Sequence, residues 1–282
     1  MFTLAIENTK GNRLRLTQNP NYTLVSVDGL APAKANINTA VNANFDGSTY
    51  KSSRVENRNI VIMVAVEGAV EVNRIELYKF IKPKEKVTVY VTNASRDVYI
   101  EGYVESMTVG IFEQKQMVQI SVICPNPFFA NLDAIKQDFS VIHALFEFPF
   151  SIEEAGIPFS YIAADEEVNI QNLGDITTGM IIEFRATGAV TDPIIYNTGI
   201  NKFMKLNVTM ADGDVIQINT NKGQKGVLEV SGGTVTNILN KLDPTSTWLT
   251  LEPVDNIMMF TATEGAINLQ CSVFHDYLYE GV

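Results

Sequence analysis

The stretch that decides the fold runs from residue 58 to residue 129. It contains RNIVIMVAV (58–66), NRIELYKFIKPKEKV (73–87), YIEGYVES (99–106) and KQMVQISVICPNPFF (115–129). Short apolar or alternating segments predict β-strands, whereas the apolar spacing within 73–87 is that of a helix. Residues 1–30 alternate in the same way and end at an Asp28-Gly29 turn signal, so we expect them to complete the same sheet system.

The predicted strand 58–66 is apolar on both of its faces, since successive side chains of a strand point to opposite sides. One face carries Ile60, Ile62, Val64 and Val66, and the other carries Met63. Such a strand lies between its own core and a covering element, or between its core and a neighbouring subunit. We therefore predict that these five residues form a core strand or a subunit interface, with burial inside the domain as the default.

The covering element is predicted to be a short helix. Asn73 is a suitable N-cap with Glu76 three residues later, and Pro83 ends the helix. The apolar side chains predicted for one side and its flank are Ile75, Leu77, Tyr78, Phe80 and Ile81. The lysines around the end of the helix favour a solvated basic face over a dedicated anion site.

Residues 31–58 are polar and rich in asparagine, with a turn signal at Asp46-Gly47. This pattern predicts a long loop or an open hairpin between two strands. A connection of this length inside a compact domain is usually functional or ordered by a partner. We expect a protein partner here.

Charge is unevenly distributed along the 282 residues. Residues 1–130 contain 14 Lys and Arg against 12 Asp and Glu, whereas residues 131–282 contain 7 against 20. The shift favours a domain boundary near residue 130. The acidic half argues against nucleic-acid recognition, which requires clustered Lys and Arg. No apolar leader is expected at the N-terminus, and the longest apolar run, 60–66, is too short to cross a bilayer, so no membrane insertion is expected.

The second half of the chain has the pattern of an all-β sandwich or jelly roll. From residue 168 onward short alternating segments are separated by turn residues. They include DVIQINT (214–220) and TWLTLE (247–252). Residues 131–150 form a connector whose spacing fits both helix and strand. The predicted organisation is an assembly domain at 1–130, the connector at 131–150 and a sandwich domain at 151–282.

The sequence contains no arrangement of residues that predicts catalysis, a metal site or a cofactor. His143 and His275 lack further ligands at metal-binding spacing. There is no nucleophile elbow and no phosphate-binding loop. Cys124 and Cys271 lie in strand-like segments and are interpreted as buried apolar residues.

Acidic residues allow two further readings, both of which are disfavoured. Asp212-Gly213-Asp214 is interpreted as a turn, because the remaining oxygen ligands of a calcium loop are missing. The acids at 153–154 and 165–167 are interpreted as solvated surface and not as the paired carboxylates of a glycosidase.

The sole tryptophan, Trp248, is interpreted as a packing residue of a core or a domain seam. A sugar-stacking role for Trp248 is the weaker alternative. Tyr277 and Tyr279 are additional candidates for stacking.

The order of the motifs resembles the distal tail protein (Dit) family of long-tailed phages, also called the siphovirus tail component family. The N-terminal half carries, in order, RNI, LYKF, GYVE and ISVICPNPF. In the C-terminal half, GDVIQINT (213–220) followed by STWLTLEPVDN (246–256) is similar to the galectin-like sandwich of these proteins. Val254-Asp255 precedes Asn256 where the family more often has a glycine.

The resemblance implies a mainly β protein with an N-terminal split β-barrel-like domain bearing one short helix and a C-terminal galectin-like β-sandwich (jelly roll). It implies a homo-oligomer, a hexameric ring formed by the N-terminal domain, with no enzymatic activity and no cofactor. The ring would lie at the tail tip of the virion. There it would join the tail tube protein to the tail-associated lysin or fibre protein, with the tape measure protein near its lumen.

The leading functional expectation is thus a structural baseplate hub at the phage tail tip. The alternative is a cell-wall carbohydrate-binding module of a tail or surface protein. A hydrolase is the third candidate, and only undirected acidic residues support it.

Overall fold

The computed structural model describes residues 2–41, 43–44, 46–139, 141–144, 160–163 and 167–282, and for 141–144 and 160–163 it describes the backbone alone. Within these residues the chain forms 24 β-strands, one α-helix and three short 3₁₀ helices. The prediction of a mainly β protein is confirmed. Residues 145–150 of the connector, and the acids at 153–154 and 165–166, lie outside the described residues.

The elements follow one another along the chain with short connections. Up to residue 131 they are β1 (Thr3–Asn8), β2 (Arg13–Arg15), β3 (Tyr22–Asp28), β4 (Ala35–Val41), β5 (Ser48–Val55), β6 (Arg58–Val66), α1 (Val70–Phe80), β7 (Lys86–Thr92), β8 (Asp97–Val109), β9 (Met117–Cys124) and β10 (Phe129–Asn131). The remaining strands are β11 (Ile135–Asp138), β12 (Val141–Ala144), β13 (Ser160–Ala163), β14 (Val168–Asn172), β15 (Ile181–Ala186), β16 (Val190–Asn197), β17 (Lys202–Lys205), β18 (Thr209–Met210), β19 (Val215–Asn219), β20 (Gly226–Ser231), β21 (Thr234–Asn237), β22 (Val254–Glu264), β23 (Leu269–His275) and β24 (Leu278–Tyr279). The 3₁₀ helices are Thr198–Ile200, Leu239–Lys241 and Ala266–Asn268.

The chain divides into two compact units. The first comprises Met1–Leu132 with Leu278–Val282, and the second comprises Asp133–Tyr277. These limits differ from the predicted domains at two places. The last five residues belong to the first unit because β24 pairs antiparallel with β10. Part of the predicted connector belongs to the second unit because β11 pairs antiparallel with β23.

The first unit is built on one antiparallel sheet. Its strand order is β2-β1-β7-β8-β9-β6-β3, and β10 joins β8 and carries β24 on its other side. Within the described residues the end strands β2 and β3 do not pair with each other, so the barrel-like sheet is open. The core under the sheet consists of branched apolar side chains, as expected for strands buried on one face.

Strand β6 lies in the interior of this sheet, between β3 and β9. Ile60, Ile62, Val64 and Val66 are buried in the core of the first unit. Met63 points to the opposite face and is half-buried. Because β6 has a hydrogen-bonded neighbour along each edge, any contact that it makes with another molecule must use a face and not an edge.

Helix α1 starts earlier than the sequence predicted. It begins at Val70, with Ala69 at the N-cap position and no side-chain cap. Asn73, the predicted N-cap, lies inside the helix and is buried, and its Nδ2 donates to the main-chain oxygen of Glu67 at 2.7 Å. The helix ends at Phe80, before Pro83, as expected. In the described part of the chain, no helix combines the length and apolar character needed to span a membrane.

The predicted buried side of α1 is wrong in part. The helix buries Asn73 and Leu77, whereas Ile75 and Tyr78 are exposed. Tyr22 stabilises this orientation by donating its hydroxyl to the main-chain oxygen of Asn73 at 2.8 Å. A polar side chain with main-chain partners can occupy a buried helix position, and apolar periodicity alone assigns such a residue to the surface.

Strand β8 is a single strand of 13 residues, although the sequence pattern predicted two separate strands over the same region. Its pairing with β9 shifts register between Val104 and Ser106. A bulge of this kind changes which side chains face the core. The alternation therefore breaks in the sequence while the strand continues in the structure.

The second unit is a sandwich of two antiparallel sheets, as expected. One sheet has the order β11-β23-β15-β19-β20-β21, and the other has the order β14-β22-β16-β17 with β18 beside β16. Strands β12 and β13 form a separate pair. The core between the two sheets includes Phe139 and Phe260, whose rings meet edge to face at 6.1 Å.

The segment TWLTLE (247–252) does not form the predicted strand. Only Leu251 makes a bridge, to Thr178. Leu249 and Leu251 are nevertheless fully buried in the sandwich core. The alternation correctly identified the core-facing side chains, but regular pairing depends on a neighbouring strand that local sequence does not reveal.

Candidate assembly surfaces and the sandwich motifs

The polar stretch after β3 forms the hairpin arm, which we define as strands β4 and β5. Of the two alternatives left open by the sequence, the hairpin is the one formed, as a two-stranded sheet of its own. All eight residues of β5 are exposed. The arm also exposes apolar side chains, including Ile37, Tyr50, Val55 and Val41, the last of which is 83% accessible.

The hairpin arm holds its two strands together by polar contacts. Asn38 Nδ2 donates to Ser52 Oγ at 3.0 Å, and the hydroxyls of Tyr50 and Ser53 lie 2.8 Å apart. An isolated two-stranded hairpin is marginally stable in water. Among the described residues each strand of the arm pairs only with the other, so both outer edges can accept an additional strand.

A second apolar projection is the turn between β8 and β9. Phe112 is completely exposed at its tip, and Ile111 beside it is also exposed. Gln116 Nε2 donates to the main-chain oxygen of Ile111 at 3.2 Å and to Glu71 Oε1 at 3.4 Å. The turn is thus held near the first turn of α1 while its aromatic ring points to solvent.

The outer face of α1 is the third apolar surface. Val72, Ile75 and Tyr78 recur at every third position and are all exposed. Residues at this spacing lie on one face of a helix. Together with the hairpin arm and the Phe112 turn, this face gives the first unit more exposed apolar surface than solvent contact alone requires.

The lysines near the end of α1 line a shallow cleft with a volume of about 220 Å³. Lys10, Lys79 and Lys82 share it with Glu76 and Glu85. Lys82 Nζ lies 3.8 Å from Glu85 Oε1. Opposite charges are interspersed in the cleft, which supports the solvated basic face and not an anion site.

Arg58, which the sequence analysis did not single out, organises one end of the first unit. It is 2% exposed, and its guanidinium lies 4.6 Å from the centre of the Phe129 ring. It donates hydrogen bonds to the main-chain oxygens of Gly29, Ala31, Pro127 and Glu280. The only signal in the sequence is an arginine at the first position of an apolar strand.

The first sandwich motif, GDVIQINT, is used to build the fold. Asp214 Oδ2 accepts a hydrogen bond from the main-chain nitrogen of Ala211 at 2.8 Å, and Gly213 has φ +86°. The interpretation of this segment as a turn is therefore correct. At the other end of the motif Thr220 Oγ1 accepts from the main-chain nitrogen of Met180 at 2.9 Å.

The second sandwich motif closes a turn through Asn256. This buried side chain donates to the main-chain oxygen of Glu252 at 2.8 Å and accepts from the nitrogen of Glu252 at 2.9 Å. Val254, at the turn where the family more often has a glycine, has φ +81°. A β-branched residue is rarely found in this left-handed region, so the sequence departure is also a point of backbone strain.

Trp248 is half-buried against the sandwich core, and Lys225 Nζ lies 5.2 Å above its ring. The tryptophan is therefore partly occupied by packing and by a cation. Tyr279 belongs to β24 in the first unit, and Tyr277 lies in the second unit. The three candidate stacking residues do not form one platform within the described structure of either unit.

Both cysteines are buried and free, as interpreted from the sequence. Burial raises the pKa of the Cys124 thiol to about 11, although the charge of Arg58 opposes the shift. Burial also raises the pKa of Cys271. His275 is buried, and the side chain of His143 lies outside the described residues. Within the described residues no three His, Cys, Asp or Glu side chains are grouped as metal ligands.

The two-sheet sandwich and its two motifs define the second unit as a siphovirus-type tail component domain. Residues 173–272 match the family model for the siphovirus-type tail component, C-terminal domain. No protein of curated function matches the chain. The expected family resemblance is confirmed for this part of the sequence.

The whole chain is similar to solved phage proteins. The crystal structure of Dit from phage SPP1, described as a paradigm of the hub adsorption apparatus in phages that infect Gram-positive bacteria, is similar over 99% of both chains, with a TM-score of 0.71 and 14% identity. Chains from the phage P2 baseplate in its activated conformation, with Ca and with Sr, are similar over 100% of both chains, with TM-scores of 0.55 and 12% identity. At these identities the similarity establishes the Dit fold.

Proposed function

We propose that this protein is a structural subunit of the tail-tip hub of a long-tailed phage. The observation that carries the proposal is the agreement with the SPP1 Dit hub fold over 99% of both chains. The family match over residues 173–272 supports it independently. In this role the protein acts through contacts with other proteins and performs no catalysis.

The first unit is the part that forms the ring, with six copies favoured by the family resemblance. Its hairpin arm, the Phe112 turn and the outer face of α1 expose apolar side chains that association can bury. A ring requires a heterologous contact in which one surface of each copy meets a different surface of the next. The hairpin arm and α1 are separate surfaces of this kind. A contribution of Met63 on the outer face of β6 is part of the same proposal.

The motif residues support a non-enzymatic role. Asp214, Thr220 and Asn256 all use their polar atoms to bind main-chain groups of the sandwich. The proposed partners are the tail tube protein on one side of the ring, the tail-associated lysin or fibre protein on the other, and the tape measure protein near the lumen. The protein is accordingly placed at the tail tip of the virion.

The decisive experiment is the mass of the intact chain in solution. Size-exclusion chromatography with light scattering, followed by negative-stain class averages, should show a ring of six times the subunit mass, either alone or after addition of the tail tube protein. A monomer at every concentration tested, with and without that partner, would contradict the ring. Because the last five residues belong to the first unit, the full chain is the appropriate sample.

A further inference from the structure

A polar cleft in the second unit has the properties of a ligand site. It opens between β11 and β14, which are end strands of the two sheets of the sandwich. Its volume is about 340 Å³, within the range of roughly 300–1,000 Å³ that is typical of small-molecule sites. Its lining includes Ile135, Gln137, Asn169, Gln171, His275 and Tyr277.

Two of the amides in the cleft are already held in place. Asn169 and Gln171 alternate along β14 and therefore share one face of the strand. Asp255 accepts a hydrogen bond from Asn169 Nδ2 at 2.7 Å and from Gln171 Nε2 at 3.2 Å. Asn169 Oδ1 also accepts from the main-chain nitrogen of Asn256 at 3.1 Å. Side chains that are ordered before binding lose less entropy when a ligand arrives.

His275 provides a second, independent observation. Its side chain is 96% buried, and its Nδ1 has no hydrogen-bond partner within the described structure. Buried polar atoms without a partner are rare in folded proteins. Burial lowers the pKa of His275, with the main chain of Asp276 opposing this in part, so the imidazole is neutral near pH 7. The Tyr277 ring meets it edge to face, with 5.4 Å between centres.

The chemistry of the lining selects a class of ligand. None of the described residues that line the cleft is Lys, Arg, Asp or Glu. An anion would meet the strongly acidic second half of the chain, and a cation would find no carboxylate in the lining. Amides, a neutral imidazole and a phenol can all donate and accept hydrogen bonds, as hydroxyl groups do. Tyr277 and Ile135 add apolar surface, which suits the C–H face of a sugar ring.

We propose that this cleft binds a neutral saccharide, with Gln137, Asn169 and Gln171 bonding its hydroxyl groups and Tyr277 packing against its ring. The proposal does not depend on ring assembly, since every residue in it belongs to the second unit. It also places sugar recognition at a different position from Trp248, which packs against the sandwich core.

The test uses the full chain with neutral disaccharides of glucose, galactose and N-acetylglucosamine at millimolar concentration. Saturation-transfer NMR detects binding, and calorimetry gives the dissociation constant. Gln171→Ala should weaken binding by about five-fold or more, because it removes one bonding amide. Gln217→Ala is the matched control, since this exposed glutamine of the same unit also donates to a carboxylate, that of Glu183 at 3.0 Å. Its binding should stay within about two-fold of the original.

Tyr277→Ala provides a second variant, and it should weaken binding of the same disaccharide. Trp248 fluorescence during thermal unfolding checks that each variant is folded. The proposal is overturned if none of the disaccharides binds. It is equally overturned if folded Gln171→Ala and Tyr277→Ala both bind as the original protein does, or if only a charged sugar such as galacturonate binds.

Discussion

The guanidinium of Arg58 donates a hydrogen bond to the main-chain oxygen of Glu280, 222 positions further along the chain. Two further contacts hold the same C-terminal segment. Arg96 donates to the main-chain oxygen of Gly281, and the nitrogen of Val282 donates to the oxygen of Leu30 at 3.0 Å. The last residues of the protein are therefore a structural part of its first unit.

Deletion of residues 278–282 should destabilise the first unit alone. The deletion removes β24 and two acceptors of charge-assisted hydrogen bonds, so we expect a loss of roughly 3 kcal/mol or more in the free energy of unfolding. Urea unfolding followed by hydrogen exchange of β6 and β9 measures this loss, while Trp248 fluorescence follows the second unit. Glu280→Ala is the control, because only its main-chain oxygen is used by Arg58. Equal stability of the deletion variant and the full chain would refute the structural role of the segment.

The same substitution should have opposite outcomes at two isoleucines of the first unit. Ile62→Asp places a carboxylate in the core at a cost on the order of several kcal/mol, so unfolded or insoluble protein is expected. Ile37→Asp lies on the exposed hairpin arm and should leave folding intact. Circular dichroism and solubility distinguish the two variants. A soluble, folded Ile62→Asp protein with an unchanged oligomeric state would show that β6 is not a core strand.

The hairpin arm should be required for assembly but not for folding. Tyr50→Asp changes an exposed arm residue, and Tyr103→Asp changes an exposed tyrosine of β8. We expect Tyr50→Asp to weaken ring formation by at least about ten-fold, since it places a charge in a desolvated interface. Light scattering at several concentrations compares the two variants. If Tyr103→Asp dissociates the ring and Tyr50→Asp leaves it intact, the contact lies elsewhere on the first unit.

Val254 and Val235 form a matched pair for testing backbone strain. Both are 63% exposed in the second unit, but only Val254 has a positive φ. Val254→Gly relieves the strain and should leave stability unchanged or raise it by up to about 1 kcal/mol. Val235→Gly removes a β-branched residue from strand β21 and should cost about 1 kcal/mol. Thermal unfolding followed by Trp248 fluorescence measures both changes, and equal losses would exclude strain at Val254.

Cys124 and Cys271 should not react with a thiol reagent at pH 8 until the protein unfolds. Both are buried, and the pKa of Cys124 is raised from 9.0 to about 11, so its reactive thiolate is scarce in the folded state. Between these two values the unfolded chain releases the proton first, and the contribution of Cys124 to stability therefore decreases as pH rises from about 9 to about 11. Labelling with and without denaturant tests the first expectation, and urea midpoints across this pH range, compared with those of Cys124→Ala, test the second. Fast labelling of the native protein would contradict the buried placement.

Local patterns predicted much of the sheet structure. The alternation in β9 and the apolar run of β6 identified both strands, and the turn at Gly213 followed from residue type. The same patterns misplaced the start of α1 and its buried side, because Asn73 satisfies its side chain with the main chain of Glu67. Apolar periodicity contains no information about such a partner.

The proposed saccharide cleft shows the same limit more clearly. Asn169, Gln171 and His275 are unremarkable in the sequence, since each lies in an ordinary alternating strand. They meet because β11 and β14, which belong to different sheets, end the two layers of the sandwich side by side. Only Tyr277 was a candidate from the sequence, and it was chosen as an aromatic residue without a known neighbour.

The sequence by itself determined the mainly β architecture, the motifs of the tail component family and the change in charge near residue 130, since these depend on neighbouring residues and composition. The tertiary structure alone decided that β24 joins β10, that Arg58 bonds the C-terminal segment and that β11 belongs to the sandwich. The reason is physical. Alternation specifies which side of a strand is buried, but the partner along its edge depends on which main-chain groups remain unpaired after the rest of the sheet has formed.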